Sequence, residues 1–327
     1  MKHRNTSRSG RKFHRRWIIA LLFMTGAAAA IAQTDPSTGV ATQMVVTVVN
    51  HSHSTPQTPA IQRADVQVKQ RGKHAQIVGW KRISDGSTGI QLVILIDDSL
   101  QARASSNFVE LRNFIQELPP STQVAVGYMQ NGRAVMTTDL TGDHTLVAKS
   151  IRLPRGIPGG NASPYFCLSD LVKHWPSKGA SAAARTVLMI TDGIDRYYQH
   201  AMYDPDDPYV DAAIQDAQNH HVMVSSIYFR DTGFADRGMN SSFVGQNYLQ
   251  QVASATGGTV YFEGTGNPVS FDPFLKNFSK QLANQYLLTF LANGSGQQQV
   301  KVSTEVPHIS LESQKVVTVG QQIQGAE

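Results

Sequence analysis

The sequence has 327 residues, 41% of them hydrophobic, which is enough for one large globular domain with smaller attachments. Its formal charge of +5 arises at the amino terminus, where the first 32 residues contain seven Lys or Arg and no acid. Without that segment, 22 basic residues face 24 acidic residues, a net charge of −2. Because the remaining chain is not basic, a nucleic-acid partner lacks electrostatic support.

The first 32 residues have the organisation of an export signal. A basic region over residues 2–16 precedes an apolar stretch over residues 17–31, and Ala30-Ile31-Ala32 matches the small-x-small cleavage rule. We therefore predict a signal peptide over residues 1–32 and an exported protein, in the periplasm, on the cell surface or outside the cell. An uncleaved membrane anchor is the alternative, because the apolar stretch is only slightly shorter than a membrane span. Contact with a membrane is expected only in that case.

A small β module is predicted after a disordered segment over residues 33–41. Residues 42–90 contain three stretches with strand character, at 44–49, 64–69 and 75–80, and Arg71-Gly72 marks a turn between the second and the third. The module leads directly into the most hydrophobic strand of the chain.

That strand is followed by polar residues. Leu92 to Ile96 are five consecutive apolar residues, a run typical of a strand buried on both faces of a parallel sheet. Asp97, Asp98 and Ser99 come next and should lie just beyond the carboxyl end of the strand, where open α/β sheets bind ligands. Apolar residues at helical spacing then predict a crossover helix that ends at Pro119-Pro120.

Strands and helices alternate over residues 91–284. Further strands are predicted at 123–129, 134–140, 187–190, 222–229 and 259–262, with Asn131-Gly132 as a hairpin turn before the second of these. Ser163, Asp207 and Asp272 each precede a proline and are predicted to cap helices. Residues 231–246 are predicted to form a loop before a short helix at 247–256. The predicted fold is α/β: a doubly wound, mostly parallel six-stranded sheet with helices on both faces.

Residues 285–327 are predicted to return to β structure. Stretches at 286–291 and 300–306 flank Asn293-Gly294-Ser295-Gly296 and indicate a β-hairpin, with a third strand at 315–319. This segment is expected to pair with the amino-terminal module to form one β appendage.

Two motifs carry a family resemblance. Asp97-x-Ser99 after a buried strand, and Thr191-Asp192-Gly193 after a later one, resemble the motifs of a von Willebrand factor type A domain. Together they resemble exported proteins related to that family, found especially in acidobacteria, over roughly residues 42–306. The resemblance implies one antiparallel edge strand in an otherwise parallel sheet.

The resemblance also implies a metal-ion-dependent adhesion site with the pattern Asp-x-Ser-x-Ser, a later Thr and a later Asp. Asp97 and Ser99 match the first two positions, Asp192 matches the late acid, and Gln101 departs from the family by replacing the second serine. Ser163 is the candidate for the threonine position. The implied cofactor is Mg²⁺, with Mn²⁺ or Ca²⁺ as alternatives, since hard cations prefer oxygen ligands.

Each of these residues also has a structural interpretation. Ser163 before a proline is an ordinary helix N-cap, and Asp97 and Asp192 can accept hydrogen bonds from backbone N–H groups at helix starts. Asp98 should point away from Asp97 by strand alternation and pair with a base such as Arg103. Asp98 and Asp195 are predicted to form the rim that contacts a ligand.

The sequence favours a binding protein over an enzyme. It contains no Gly-x-Ser-x-Gly elbow, Walker loop, His-Glu-x-x-His or Cys-x-x-Cys motif, and the single cysteine, Cys167, is predicted to lie in the core. The first hypothesis is an exported module that engages a protein ligand offering a carboxylate. The second is a structural or assembly component of the cell envelope with a degenerate ion site. The third is a hydrolase whose motif is not apparent.

Overall fold

A computed structural model describes residues 39–52, 57–85, 89–100, 105–157, 159–177, 183–198, 206–230 and 239–323. The predicted signal peptide and the predicted disordered residues 33–38 lie outside this part of the chain, as do Gln101 and Arg103. Within the described ranges, no helix is long and apolar enough to cross a membrane.

The described residues form fourteen strands and six α-helices. The strands are β1 (Val40–Asn50), β2 (Val66–Gln70), β3 (Lys73–Ala75), β4 (Ile77–Arg82), β5 (Gly89–Asp97), β6 (Thr122–Gln130), β7 (Arg133–Met136), β8 (Ala183–Thr191), β9 (Val222–Tyr228), β10 (Val260–Tyr261), β11 (Gln285–Ala292), β12 (Gln297–Thr304), β13 (Ile309–Ser313) and β14 (Val316–Thr318). The helices are α1 (Ser105–Glu117), α2 (His144–Ser150), α3 (Pro164–Lys173), α4 (Pro208–Asn219), α5 (Met239–Thr256) and α6 (Asp272–Ala283).

The central sheet has six strands in the order β10-β9-β8-β5-β6-β7, and all but β7 are parallel. Alternate residues of β5 enter opposite cores: Leu92 and Ile94 pack with α1, α2 and α6, whereas Val93 and Leu95 pack with α3, α4 and α5. Burial on both faces explains the unbroken apolar run of β5. The predicted fold class, a doubly wound and mostly parallel six-stranded sheet, is confirmed.

The antiparallel edge strand follows from local turn chemistry. Asn131 and Gly132 both adopt positive φ, at 45° and 73°, which a tight two-residue hairpin turn requires. This turn joins β6 to β7, which is shorter than the predicted strand at 134–140.

The amino- and carboxyl-terminal segments form two further antiparallel sheets, in the orders β13-β1-β11-β4 and β14-β12-β2-β3. Both sheets contribute to one apolar core, in which Met44 and Leu288 from the first sheet lie with Val68 and Val302 from the second. The two sheets therefore make a β sandwich. The expected β appendage from the two ends of the chain is confirmed.

The predicted hairpin between residues 286–291 and 300–306 is wrong. β11 pairs with β1 and β4 in one sheet, and β12 pairs with β2 and β14 in the other. The Gly-rich turn therefore crosses from one layer of the sandwich to the other. Turn residues fix a reversal of the chain but do not decide which strands pair afterwards.

Two local predictions are also corrected, and one helix, α2, was not predicted. α5 begins at Met239, inside the segment predicted as a loop. Asp272 lies inside α6 and does not cap it; instead, the carboxylate of Glu110 on α1 accepts hydrogen bonds from the N–H groups of Phe271 and Asp272. The free N–H groups at the start of α6 are therefore bonded by a residue of another helix, whereas the sequence suggested a capping residue at the start of α6 itself.

Candidate functional site at the carboxyl edge of the central sheet

The two family-like motifs end adjacent strands. β5 and β8 are parallel neighbours in which Ile96 pairs with Ile190, so Asp97 and Thr191 leave the sheet side by side. The predicted convergence of Asp97, Ser99 and Asp192 at one edge follows from this register.

Asp97 is fully buried and accepts four hydrogen bonds. One carboxylate oxygen accepts from the backbone N–H of Ser99 at 2.9 Å and from its hydroxyl at 2.6 Å. The other accepts from the amide of Asn161 and the hydroxyl of Thr191, both at 2.8 Å. Every one of these donors is uncharged, so they solvate the carboxylate without neutralising it.

The environment of Asp97 raises the pKa of its carboxyl group to about 6. Burial is the main cause, and the nearby negative charge of Asp192 adds to it. The positive charge of Arg196 and the hydrogen bonds from Ser99 act in the opposite direction.

Asp192 is neutralised by an arginine from its own loop. The guanidinium of Arg196 bonds both oxygens of the Asp192 carboxylate, at 3.2 Å and 2.5 Å. Only 8% of the Arg196 side chain and 7% of the Asp192 side chain are exposed. A buried, two-pronged ion pair of this kind fixes the turn that follows β8.

The turn is also held by helix α5. Gly193 has a φ of +68°, and a Cβ placed on Gly245 of α5 would lie 2.0 Å from the carbonyl oxygen of Asp192. The helix can approach this closely only because residue 245 has no side chain. The backbone of the loop is thus set by packing as well as by the ion pair.

Asp98 faces the other way, as strand alternation predicts. Its carboxylate forms a two-pronged pair with Arg152, at 2.6 Å and 2.9 Å, and accepts from the side chain of Gln130 and the backbone N–H of Arg155, both at 2.9 Å. Its base is therefore Arg152, on the loop after α2. The prediction that Asp98 lies on a ligand-contacting rim is wrong, because these contacts bury it.

Ser163 and Asp195 join two loops at this edge. The Ser163 oxygen caps α3 by accepting from the N–H groups of Tyr165 and Phe166, and its hydroxyl donates to Asp195 at 2.8 Å. The second Asp195 oxygen accepts from the N–H groups of Tyr197 and Tyr198, at 2.7 Å and 3.0 Å. Asp195 is buried, so its predicted place on the rim is also wrong; its role is to hold the Tyr197–Tyr198 turn against α3.

Tertiary structure adds four residues that the sequence analysis did not single out as part of the site: Asn161, Thr191, Arg196 and Arg152. Thr191 and Arg196 flank Asp192, and Asn161 follows the Gly-rich loop two residues before Ser163, so proximity to the motifs was the available signal. Arg152 is 54 residues from Asp98, and no local pattern indicated it.

The oxygen atoms at this edge are not arranged to coordinate a divalent cation. Both oxygens of Asp97 and of Asp192 are engaged, and a guanidinium already supplies positive charge. The amide oxygen of Asn161 is buried with no hydrogen-bond partner among the described residues, but one neutral oxygen cannot replace an octahedral oxygen set. Across the described ranges, no group of three or more His, Cys, Asp or Glu side chains could hold a metal.

Neither a protein-family model nor a curated protein sequence matches the chain. The solved structures that are similar to it at low identity include the following three. BatB from Bacteroides thetaiotaomicron is 15% identical, with 60% of this chain and 98% of that chain covered and a TM-score of 0.39. An aerotolerance-related membrane protein from Bacteroides fragilis is 12% identical, with 59% and 98% covered and a TM-score of 0.41. The VWA domain of SpRpn10 is 12% identical, with 58% and 95% covered and a TM-score of 0.40.

Scores this low carry no argument, so the assignment of the fold rests on the architecture itself. The Asp-x-Ser and Thr-Asp-Gly motifs end adjacent central strands, and β7 is the single antiparallel strand of the six, as the resemblance implies. The central domain has a type A-like fold. At its carboxyl edge, Arg196 bonds the acid that the resemblance implies as a metal ligand.

Proposed function

We propose that the protein is an exported binding module that engages a protein ligand at the carboxyl edge of its central sheet without a metal ion. The observation that carries the proposal is an aromatic cluster, Phe166, Tyr197, Tyr198 and Tyr209, which lies beside the buried acids; Tyr197 is its exposed member and the other three rings are half-buried. Tyr197 is 60% exposed, and its ring centroid lies 5.0 Å from that of Phe166 and 5.6 Å from that of Tyr209.

Rigid aromatic side chains at a surface are suited to recognition of a partner. Tyrosine offers a large contact area with few rotatable bonds, and Tyr is enriched at the energetically important centres of interfaces. Asp195 holds the backbone of Tyr197 and Tyr198, and the edge-to-face contacts among the rings hold their side chains. The cluster is therefore preorganised, which reduces the entropy lost on binding.

The same edge offers further exposed groups of the kind found in interfaces. Ile157 is 58% exposed and the side chain of Arg155 is 61% exposed, both on the loop that encloses Asp98. Arg155 lies 3.6 Å from Asp98, and because most of its side chain is exposed it can also contact a partner's carboxylate beside the apolar Ile157.

Metal independence is supported by the pair of Arg196 and Asp192. A guanidinium that bonds both oxygens of the late acid provides the charge that a cation would provide, and it is covalently part of the chain.

Capture of ligands from the cell envelope of the source organism tests the proposal. The protein would be immobilised and exposed to envelope extract in Mg²⁺ and in EDTA, in wild-type form and with Tyr197→Ala. Val109→Ala is the matched control, because Val109 is an exposed apolar residue of α1. We expect the same ligand to be retained in Mg²⁺ and in EDTA, retained by Val109→Ala and lost with Tyr197→Ala.

A calorimetric titration with Mg²⁺ and with Mn²⁺ separates the two hypotheses about the ion. We expect no binding heat and no change in melting temperature. Heat that disappears in Asp97→Asn, or capture that requires Mg²⁺, would show that a metal operates here after all. Retention of ligand by Tyr197→Ala would instead remove the aromatic cluster from the binding surface.

A further inference from the structure

The β sandwich carries a row of basic residues across three adjacent strands. Lys301 of β12 lies directly opposite Lys69 of β2, which in turn lies opposite His74 of β3. Their neighbours Val68 and Val302 are buried in the sandwich core, so the basic residues occupy the outer face of the sheet. Like charges placed directly opposite one another destabilise a sheet, so a bound anion here would relieve the repulsion.

A groove of about 530 Å³ opens at the same place. Four cations line it, Lys69, Arg71, Lys301 and Lys315, against one acid, Glu312. None of the four cations forms an ion pair with a side chain in the described part of the chain. Its volume is within the range of ligand sites, and its floor of valine and leucine side chains is apolar.

The groove also exposes strand edges. β14 pairs only with Gln297–Gln299 of β12, and the last bond from Val300 goes to the carbonyl of Lys315. From Lys301 onward, β12 has no partner strand on that side among the described residues. The opposite wall is formed by Leu311 to Ser313 of β13, itself the edge strand of the other sheet. β13 runs close beside β12 here, so the groove is a cleft between two strand edges with no room for a further strand between them.

We propose that this groove binds an extended acidic segment of a partner protein, which lies along the cleft between β12 and β13. An extended chain that alternates apolar and acidic residues matches both features of the groove. Its apolar side chains face the floor, and its acidic side chains face Lys301, Lys315 and Arg71. The net charge of −2 for the chain beyond residue 32 makes this local basic surface a specific feature rather than a general property of the protein.

The probe is a blocked octapeptide of alternating valine and glutamate, with binding followed by fluorescence anisotropy at low salt. Two comparison peptides isolate the components: alternating valine and lysine, and octaglutamate. We expect only the valine–glutamate peptide to bind tightly, because it alone combines negative charge and apolar contact.

Matched variants locate the site. Lys301→Gln together with Lys315→Gln should weaken binding by roughly tenfold, as expected for the loss of two partly exposed ion pairs. Lys81→Gln, a change to an exposed strand lysine of the other sheet, should leave binding unchanged. Far-UV circular dichroism and melting verify that each variant is folded.

Three results would overturn the proposal. Equal binding of octaglutamate would reduce the effect to bulk charge, and equal binding of the valine–lysine peptide would exclude recognition of negative charge. Binding to vesicles of anionic phospholipid, with no binding to any peptide, would assign the basic surface to a membrane. The groove is independent of the carboxyl edge, so failure here leaves the Tyr197 proposal intact.

Discussion

The guanidinium of Arg196 bonds both carboxylate oxygens of Asp192, and both side chains are buried. This pair stands at the point where the family pattern implies a metal-ligating acid. A cation from the chain itself therefore neutralises the late acid and fixes the loop that carries Tyr197.

Removing one member of this pair should strongly destabilise the protein. We expect Arg196→Ala to lower the free energy of unfolding by about 3–5 kcal/mol, because it leaves a buried carboxylate unpaired. Urea denaturation measures the change. Lys276→Ala is the control, since the pair of Lys276 and Asp272 is exposed to solvent and should contribute little to stability. Equal effects of the two substitutions would contradict the importance assigned to burial.

The buried acid Asp97 should make stability fall as pH rises. Its pKa is raised from 3.8 to about 6, so the folded state holds a proton that the unfolded state has released. The contribution of Asp97 to the free energy of unfolding is complete below the pKa of the unfolded state and is lost as pH rises through about 6. The loss is roughly 3 kcal/mol, since the two pKa values differ by about two units. Asp195, whose pKa is also raised by burial, acts in the same direction.

His221 acts in the opposite direction, which allows the two effects to be separated. Burial and the charge of Arg185 lower its pKa to about 4 from 6.5, so its contribution is complete above pH 6.5 and is lost as pH falls toward 4. Unfolding measured between pH 4 and 7 should therefore show a larger rise with pH in Asp97→Asn than in wild type. His221→Asn should show a larger fall; asparagine tolerates the φ of 56° at this position. Identical pH profiles for all three proteins would disprove both assignments.

Gly245→Ala should destabilise the protein despite improving helix propensity. Alanine in the interior of a helix is favoured over glycine by about 1 kcal/mol, but here its Cβ would lie 2.0 Å from the Asp192 carbonyl oxygen. We expect a net loss of about 1–3 kcal/mol from the forced displacement, measured by urea denaturation. Gly266→Ala meets no atom within 4 Å and should be close to neutral. A stabilised Gly245→Ala variant would show that α5 can move away from the loop.

Lys301→Gln should stabilise the fold even though it weakens the proposed peptide binding. Relief of the repulsion between Lys301 and Lys69 is expected to raise the free energy of unfolding by roughly 0.2–1 kcal/mol. The gain should shrink at high salt, where surface charges are screened. Melting temperatures of this variant and of Lys81→Gln, at low and high salt, provide the measurement. A destabilised Lys301→Gln would mean that the lysine contributes to the fold rather than to binding.

Much of the site followed from local pattern. The apolar run of β5 and the motif after β8 placed Asp97, Ser99 and Asp192 at one edge, because parallel neighbouring strands end together. Ser163 was correctly anticipated as a helix cap, since serine before proline satisfies the first free N–H groups of a helix. The predicted rim positions of Asp98 and Asp195 were wrong. Asp98 is buried against Arg152, which lies 54 residues away and which no local pattern indicated. Asp195 is held within its own turn by the N–H groups of Tyr197 and Tyr198 and is bonded by Ser163.

The sequence by itself determined the central sheet, its antiparallel edge strand and the place where polar residues gather, because these depend on periodicity, turn chemistry and the direction of parallel strands. Only the tertiary structure decided that β11 and β12 belong to different sheets, that Arg152 reaches Asp98, and that Lys301 faces Lys69. Those outcomes depend on packing between segments far apart in the chain, and such packing is selected by the shape and burial of the whole core rather than by any short stretch.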